Sequence, residues 1–164
     1  MRTCAKEVSG VMVFSFLVMS SVNALCQKVM TEKQISLELA NEAAMAGMRQ
    51  CRQDGFRVSV VVFDRGGHTK VVIRDDGAGM HTLDSARRKA YTALTFRVPS
   101  AEFAKRVATT PALAELEGVI ALAGGLPIKS GDEVIGSIAV AGAPSGGQDE
   151  ACAQAGINSL KDRL

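Results

Sequence analysis

Two strand-like runs joined by a glycine turn constrain the fold more than any other feature of the chain. Residues 58–63 are rich in valine, which is typical of a buried central strand, and residues 69–73 have the same β-branched character. Between them stands Arg65-Gly66-Gly67-His68, a polar turn of the length that closes a β-hairpin. Strands joined by so short a turn pair in opposite directions, so the sequence predicts a mostly antiparallel sheet.

Helical patterns flank this hairpin on both sides. From Ile35 to Cys51, small and apolar residues recur every three or four positions, which predicts one apolar helix face. Thr31 and Gln34 form a capping box that places the helix start at Thr31, and Gly55 is expected to end the helix.

The remaining pattern predicts three more helices and three more strands. A second helix is expected from about residue 82 to Pro99, and a short third helix from Ser100 to about residue 108. Strands are predicted at residues 119–122, 126–129 and 134–141, with a closing helix after residues 145–147. The predicted order αββααβββα is that of an α+β domain with a five-stranded sheet covered by helices.

The first 24 residues are predicted to be a cleavable secretory signal. Arg2 and Lys6 give a positive start, and residues 11–22 form an apolar run too short to span a bilayer as a helix. An N-terminal anchor that stays attached is the alternative. We expect residues 25–164 to form a single domain that is periplasmic or secreted.

The cysteines leave two interpretations open. Cys51 and Cys152 both fall on predicted helices, so they form a bridge if those helices are neighbours. The simpler interpretation, which the sequence slightly favours, is two buried thiols that pack as small hydrophobic residues.

Composition and motifs exclude several functional classes. Only 4% of the residues are aromatic, Trp is absent and the formal net charge is +2, so neither a nucleic-acid platform nor an acidic membrane is an expected partner. No phosphate-binding loop, dinucleotide fingerprint, zinc-ligand spacing or nucleophile elbow is present. We therefore predict no catalytic residue.

Glycine-rich polar turns recur in a distinctive order. They are Asp64-Arg65-Gly66-Gly67-His68, Asp75-Asp76-Gly77-Ala78, Gly124-Gly125-Leu126-Pro127 and the stretch from Gly142 to Glu150. Together with the helix from Ser85 to Ser100 and the strand from Gly136 to Ala143, this series resembles the GlcG/HbpS family, which includes the C-terminal domain of PduO. The resemblance spans residues 31–163.

The resemblance implies a fold and a range of functions. It implies a profilin-like α-β-α sandwich whose five-stranded antiparallel sheet has helices on both faces, assembled as a homo-oligomer. It implies that the protein binds haem or a related tetrapyrrole for scavenging, buffering or sensing, together with a sensor or transport partner. The alternative is an accessory protein or enzyme of small organic-acid catabolism, of the kind that uses glycolate.

The candidate ligand-binding residues come from these turns and from the start of the second helix. His68 is the candidate metal ligand, because an imidazole beside a Gly-Gly turn suits haem iron. Helix N-termini favour anions such as propionates or a small carboxylate. His81 with Met80, and Asp149 with Glu150, are weaker candidates for which a surface loop and helix capping are the simpler interpretations. The predicted set is Asp64, Gly67, His68, Thr82, Ser85, Arg88, Lys89, Gly124, Gly125 and Gly142.

Overall fold

The computed structural model describes residues 29–164, so the predicted signal in residues 1–24 lies outside the described residues. Within the described part, four α-helices and four strands follow one another along the chain. They are α1 (Leu37–Gln53), β1 (Ser59–Asp64), β2 (Thr69–Arg74), α2 (His81–Phe96), α3 (Ser100–Thr109), β3 (Gly125–Ser130), β4 (Glu133–Ala141) and α4 (Gly146–Asn158), with short 3₁₀ helices at Pro111–Glu115 and Lys161–Arg163.

The strands form one antiparallel sheet in the order β2-β1-β4-β3. The predicted hairpin is present, since β1 pairs with β2 from Ser59 opposite Arg74 to Phe63 opposite Thr69. β1 also pairs with β4, from Ser59 opposite Ala141 to Asp64 opposite Gly136. One end of the sheet therefore carries the β1–β2 turn, and the other end carries the C-terminal end of β4.

The prediction of five strands is wrong, because residues 119–122 do not join the sheet among the residues described. Side chains of α2 form hydrogen bonds with the backbone of this segment instead. Arg88 Nη2 donates to the Val119 carbonyl at 2.6 Å, and the Ile120 N–H donates to Thr92 Oγ1 at 3.0 Å. Residues 119–122 have the apolar pattern of a strand, and Val119 is indeed buried. The backbone groups of Val119 and Ile120, however, form their hydrogen bonds with side chains of α2 and not with a neighbouring strand.

The predicted start of α1 is also wrong. The N-cap is Ser36, whose Oγ accepts the Leu39 N–H at 3.3 Å, and the predicted cap at Thr31 precedes the helix. Ile35 explains the shift, because its N–H donates to the Ile135 carbonyl at 3.0 Å and its side chain is buried. A helix that began at Thr31 would direct the Ile35 N–H back to the preceding helical turn and lose this contact with β4.

Alternate residues of the central strands face two different helical layers. On one face, Val60 and Val62 of β1 belong to the core that also contains buried residues of α1 and α4. On the other face, Val61 and Phe63 pack with Ala86 and Ala90 of α2. Helices therefore cover both faces of the sheet, as predicted.

Cys51 and Cys152 form a disulfide, so the interpretation as two free thiols is wrong. The bridge links α1 to α4, its Cα atoms are 5.6 Å apart, and 101 residues of sequence separate the two cysteines. Both cysteines are fully buried in the core that lies between the sheet and the helices α1 and α4. Within residues 29–164, no helix combines the length and the apolar character needed to cross a bilayer.

Removing the disulfide is expected to destabilise the domain. A crosslink that closes so long a loop reduces the conformational entropy of the unfolded chain. The double variant Cys51→Ala/Cys152→Ala should therefore lose about 2–5 kcal/mol of unfolding free energy. Urea unfolding followed by circular dichroism measures the loss. A reductant should bring the original protein towards the midpoint of the variant and leave the variant unchanged. Equal midpoints for the two oxidised proteins would contradict this role.

Candidate functional site

The predicted site residues divide between two clefts at opposite ends of α2. We call the first the turn cleft, because the β1–β2 turn forms one wall and the C-terminal half of α2 forms another. Its volume is about 420 Å³. Its lining residues are Glu32, Arg65, Gly66, Gly67, Tyr91, Leu94, Thr95, Arg97 and Val134.

The β1–β2 turn is built around the carboxylate of Asp64. Asp64 Oδ1 accepts the backbone N–H of His68 at 3.0 Å, while the Asp64 carbonyl accepts the Gly67 N–H at 3.1 Å. Gly67 has a φ of +81°, a conformation that glycine adopts without strain, so a glycine at this position allows so tight a turn.

His68 projects from this turn into solvent. Its side chain is 85% exposed, whereas the Asp64 side chain is only 7% exposed. The two are close, with His68 Nδ1 at 3.5 Å from Asp64 Oδ1. A carboxylate on the Nδ1 side orients an imidazole and leaves Nε2 as the nitrogen that can reach a ligand. His68 is not itself a lining residue of the turn cleft, but it directly follows Gly66 and Gly67, which are.

Two arginines give the turn cleft its positive charge. Arg65 is held by Glu32 at 3.3 Å and by Glu133 at 3.5 Å. Arg97 is exposed and forms no ion pair with any residue that the structure describes. It adopts a left-handed conformation with a φ of +56° directly after α2, which is unusual for a residue with a side chain.

We call the second cleft the lysine cleft. It lies where β4 ends, between the N-terminal half of α2 and the start of α4, and its volume is about 240 Å³. Its lining residues are His81, Ser85, Lys89, Leu122, Ala123, Ala141, Gly142, Ala143, Pro144, Ser145, Gly146 and Asp149.

A buried ion pair belongs to the lysine cleft. Lys89 Nζ lies 2.6 Å from Asp149 Oδ2, and both side chains are about 95% buried, being 5% and 4% exposed. Lys89 also donates to the Val140 carbonyl at 3.2 Å, and Asp149 Oδ1 accepts the Ala143 N–H at 2.9 Å. Burial raises the pKa of Asp149, while the bonds from Lys89 and Ala143 act in the opposite direction.

Close packing of α2 on the sheet sets the position of this ion pair. A Cβ added at Gly125, the first residue of β3, would stand only 2.3 Å from the Lys89 carbonyl oxygen. Gly124 is crowded too, because a Cβ there would lie 2.8 Å from the Val140 carbonyl oxygen and 3.0 Å from Lys89 Nζ. Only glycine lets the backbone at the start of β3 pass so close to α2. Gly124 and Gly125 therefore determine how closely β3 approaches Lys89.

The structure thus separates residues that the sequence placed in one site. Asp64, Gly67 and His68 lie at the β1–β2 turn, whereas the members of the second group lie at the far end of the sheet. That second group comprises Ser85, Lys89, Gly124, Gly125 and Gly142.

Two predicted site residues have structural partners instead. Thr82 is buried, and its Oγ1 bonds with Ser59 Oγ and the Gly79 carbonyl, each at 2.7 Å. Arg88 donates to the Val119 carbonyl, as described above.

The weaker candidates also separate. His81 lines the lysine cleft, whereas Met80 is an exposed residue just before α2. Asp149, which helix capping seemed to explain, is the buried partner of Lys89. No cluster of three or more potential metal ligands occurs among residues 29–164, so Asp149 and Glu150 do not belong to such a cluster there.

The sequence analysis missed several lining residues. Tyr91 and Arg97 of the turn cleft fall in the second predicted helix, where only the apolar residues were considered. Glu32 falls in the predicted capping box of the first helix. A partial signal for Arg97 was its position, because Pro99 ends the helix just before it and many helices end in a left-handed residue, although that residue is usually glycine.

Comparison with known proteins identifies close relatives. The family model described as "Haem degrading protein HbpS-like" matches residues 35–158. A solved structure of HbpS is 43% identical, covers 81% of this chain and 94% of its own, and superposes with a TM-score of 0.79. An uncharacterized 15.0 kDa protein of Citrobacter freundii, from the dhaT-dhaS intergenic region, is 30% identical over 66% of this chain and 80% of its own length.

A solved complex of PduOC with haem shares the fold. It is 22% identical to this chain, covers 77% of it and 94% of its own length, and has a TM-score of 0.71. At this level of identity the likeness concerns the fold alone.

The raised pKa of Asp149 predicts how stability depends on pH. Because the folded pKa lies above the unfolded value, this carboxyl adds most stability when it is protonated, and the contribution is lost as pH rises through the folded pKa. The difference in unfolding free energy between the original protein and Asp149→Asn should therefore fall as pH rises from about 3.9, the usual aspartate pKa, and then level off.

Urea titrations of both proteins across this pH range measure the difference. Asp84→Asn serves as a control, because Asp84 is exposed on α2. A difference that rises with pH would show that the attraction to Lys89 outweighs burial, and it would contradict the prediction.

Proposed function

The chain belongs to the HbpS-like family, and on that premise we propose that it is an exported protein that binds haem or a related tetrapyrrole at the turn cleft. The observation that carries the proposal is the exposed His68 imidazole with its Nδ1 beside the buried Asp64 carboxylate. Imidazole is a usual protein ligand of haem iron, and an orienting carboxylate fixes the ring for ligation through Nε2.

The rest of the turn cleft fits the other parts of a tetrapyrrole. Arg97 is a cation without an ion-pair partner among the described residues and suits a propionate carboxylate. Leu94 and Tyr91 offer apolar and aromatic surface to a flat macrocycle. The glycines of the turn add no side chains between this surface and His68.

The chain's own residues would hold and orient the group. Haem supplies iron-centred redox chemistry when it is bound. His68 would anchor the iron, Asp64 would fix the ring of His68, and Arg97 would set the direction of the propionates. Such a holding role suits scavenging, buffering or sensing of haem.

Export and self-association are part of the proposal. The disulfide between Cys51 and Cys152 supports export, because such bonds persist mainly in oxidising compartments. Val72 on the edge strand β2 is 51% exposed, which supports a homo-oligomer that covers this edge.

A haemin titration of the purified protein tests the ligand and the residue together. We expect a saturable Soret change at fixed stoichiometry, and we expect His68→Ala to weaken the affinity by about tenfold or more, since iron ligation is lost. His81→Ala is the matched control, because His81 is the only other histidine and lies at the far end of α2. Featureless absorbance that never saturates, or equal losses for both variants, would overturn the proposal.

A second variant separates binding from stability at Arg97. Arg97→Gly removes the cation and also relieves the left-handed conformation, so the variant should be more stable by up to about 1 kcal/mol yet bind haemin less tightly. Thermal unfolding and the same titration measure the two effects. Unchanged haemin affinity in this more stable variant would exclude Arg97 from the site.

Export has its own test. Expression of the full chain in a bacterial host, followed by mass spectrometry of the periplasmic fraction, should recover a product that begins near Leu25. Uncleaved protein that stays in the cytoplasm would contradict the signal prediction.

A further inference from the structure

The lysine cleft takes no part in the haem proposal, because it lies at the other end of the sheet. We propose that it is a second, independent site that binds a small carboxylate anion through Lys89. Three features of the cleft carry this inference: an unused donor on a buried lysine, further donors beside it together with a carboxylate that is already engaged, and the size of the cleft.

Lys89 has donor capacity left over. An ammonium group offers three N–H donors, and in the described part of the protein two acceptors meet them, Asp149 Oδ2 and the Val140 carbonyl. The third donor belongs to a side chain that is 5% exposed and lines the cleft. A buried donor without an acceptor costs stability, so an acceptor from a ligand would be favourable there.

Other unmatched groups in the cleft are also donors. The Gly146 N–H opens α4 and meets no acceptor among residues 29–164. The Ser85 hydroxyl has no hydrogen-bond partner among the same residues. Both oxygens of Asp149, the one carboxylate among the lining residues, are already engaged, since one takes the Lys89 ammonium and the other takes the Ala143 N–H. The cleft therefore suits a ligand that brings acceptors.

Size and lining narrow the class of ligand. A volume of about 240 Å³ is small beside the roughly 300–1,000 Å³ of sites for drug-sized molecules, so the cleft is too small to enclose a tetrapyrrole and fits a short molecule. Leu122, Ala141 and Pro144 give part of the lining an apolar character that suits a short carbon chain. A carboxylate with such a chain uses both the donors and the apolar wall, whereas inorganic phosphate would use only the donors.

An NMR titration of the ¹⁵N-labelled protein with lactate tests the inference. We expect saturable shifts of the Gly142, Gly146 and Gly147 amides. Ser85→Met fills the cleft without touching the ion pair, and it should abolish these shifts. Gln154→Met, at an exposed position of α4, is the matched control and should bind as the original protein does.

The charge on Lys89 is tested separately. The double variant Lys89→Gln/Asp149→Asn keeps a neutral hydrogen-bonding pair in the core and should weaken lactate binding by about tenfold or more. Lys105→Gln, on the exposed surface of α3, should have no effect. Circular dichroism confirms that each variant is folded before its titration is compared.

Three results would overturn the inference: shifts that never saturate, lactate binding that survives Ser85→Met, or inorganic phosphate that gives the same shifts with equal affinity. Haemin titration of Ser85→Met keeps this test apart from the haem proposal. Because the turn cleft is unaltered in this variant, its haemin affinity should be unchanged, and a loss there would show that the two clefts are not independent.

Discussion

The close packing of α2 against the sheet is the constraint on which the rest of the structure depends. Ala86 and Ala90 of α2 meet Ala139 and Ala141 of β4, so only small side chains separate the helix from the strand. At Gly125 the separation is smaller still, because the Lys89 carbonyl occupies the space that a Cβ would need. This contact fixes where each end of α2 stands relative to the ends of the sheet.

Two clefts with different chemistry result from that placement. The C-terminal end of α2 brings Arg97 to the β1–β2 turn, where a glycine pair leaves room and His68 is exposed. The N-terminal half brings Lys89 to the exit of β4, where Asp149 of α4 neutralises it in a buried setting. One cleft thus joins exposed positive charge to the side chains of Leu94 and Tyr91, and the other presents the buried Lys89 ammonium in a smaller space. A planar iron-containing ligand suits the first, and a short anion suits the second.

Local patterns predicted most of the fold, and contacts between distant segments account for the errors. The hairpin and the ends of β4 follow from β-branched runs and glycine turns, which are properties of adjacent residues. The apolar residues after position 118 predicted a strand, but the backbone there forms hydrogen bonds with side chains of α2, about 30 residues earlier in the chain. The capping box at Thr31 was overridden in the same way by the contact of Ile35 with β4.

The site shows the same limit. His68 was identified from its glycine turn, and Lys89 from the helix start and the family resemblance, but sequence order could not show that they stand at opposite ends of one helix, nor that Asp149 is the partner of Lys89. The central claim is therefore that two sites exist, and ¹⁵N spectra recorded with both ligands test it most directly. Zinc protoporphyrin, a diamagnetic analogue of haem, should shift amides around Gly67 and Arg97. Lactate should shift those around Gly142 and Gly146, and the two sets should add without competition when both ligands are present. A single overlapping set of shifts, or displacement of one ligand by the other, would contradict the account.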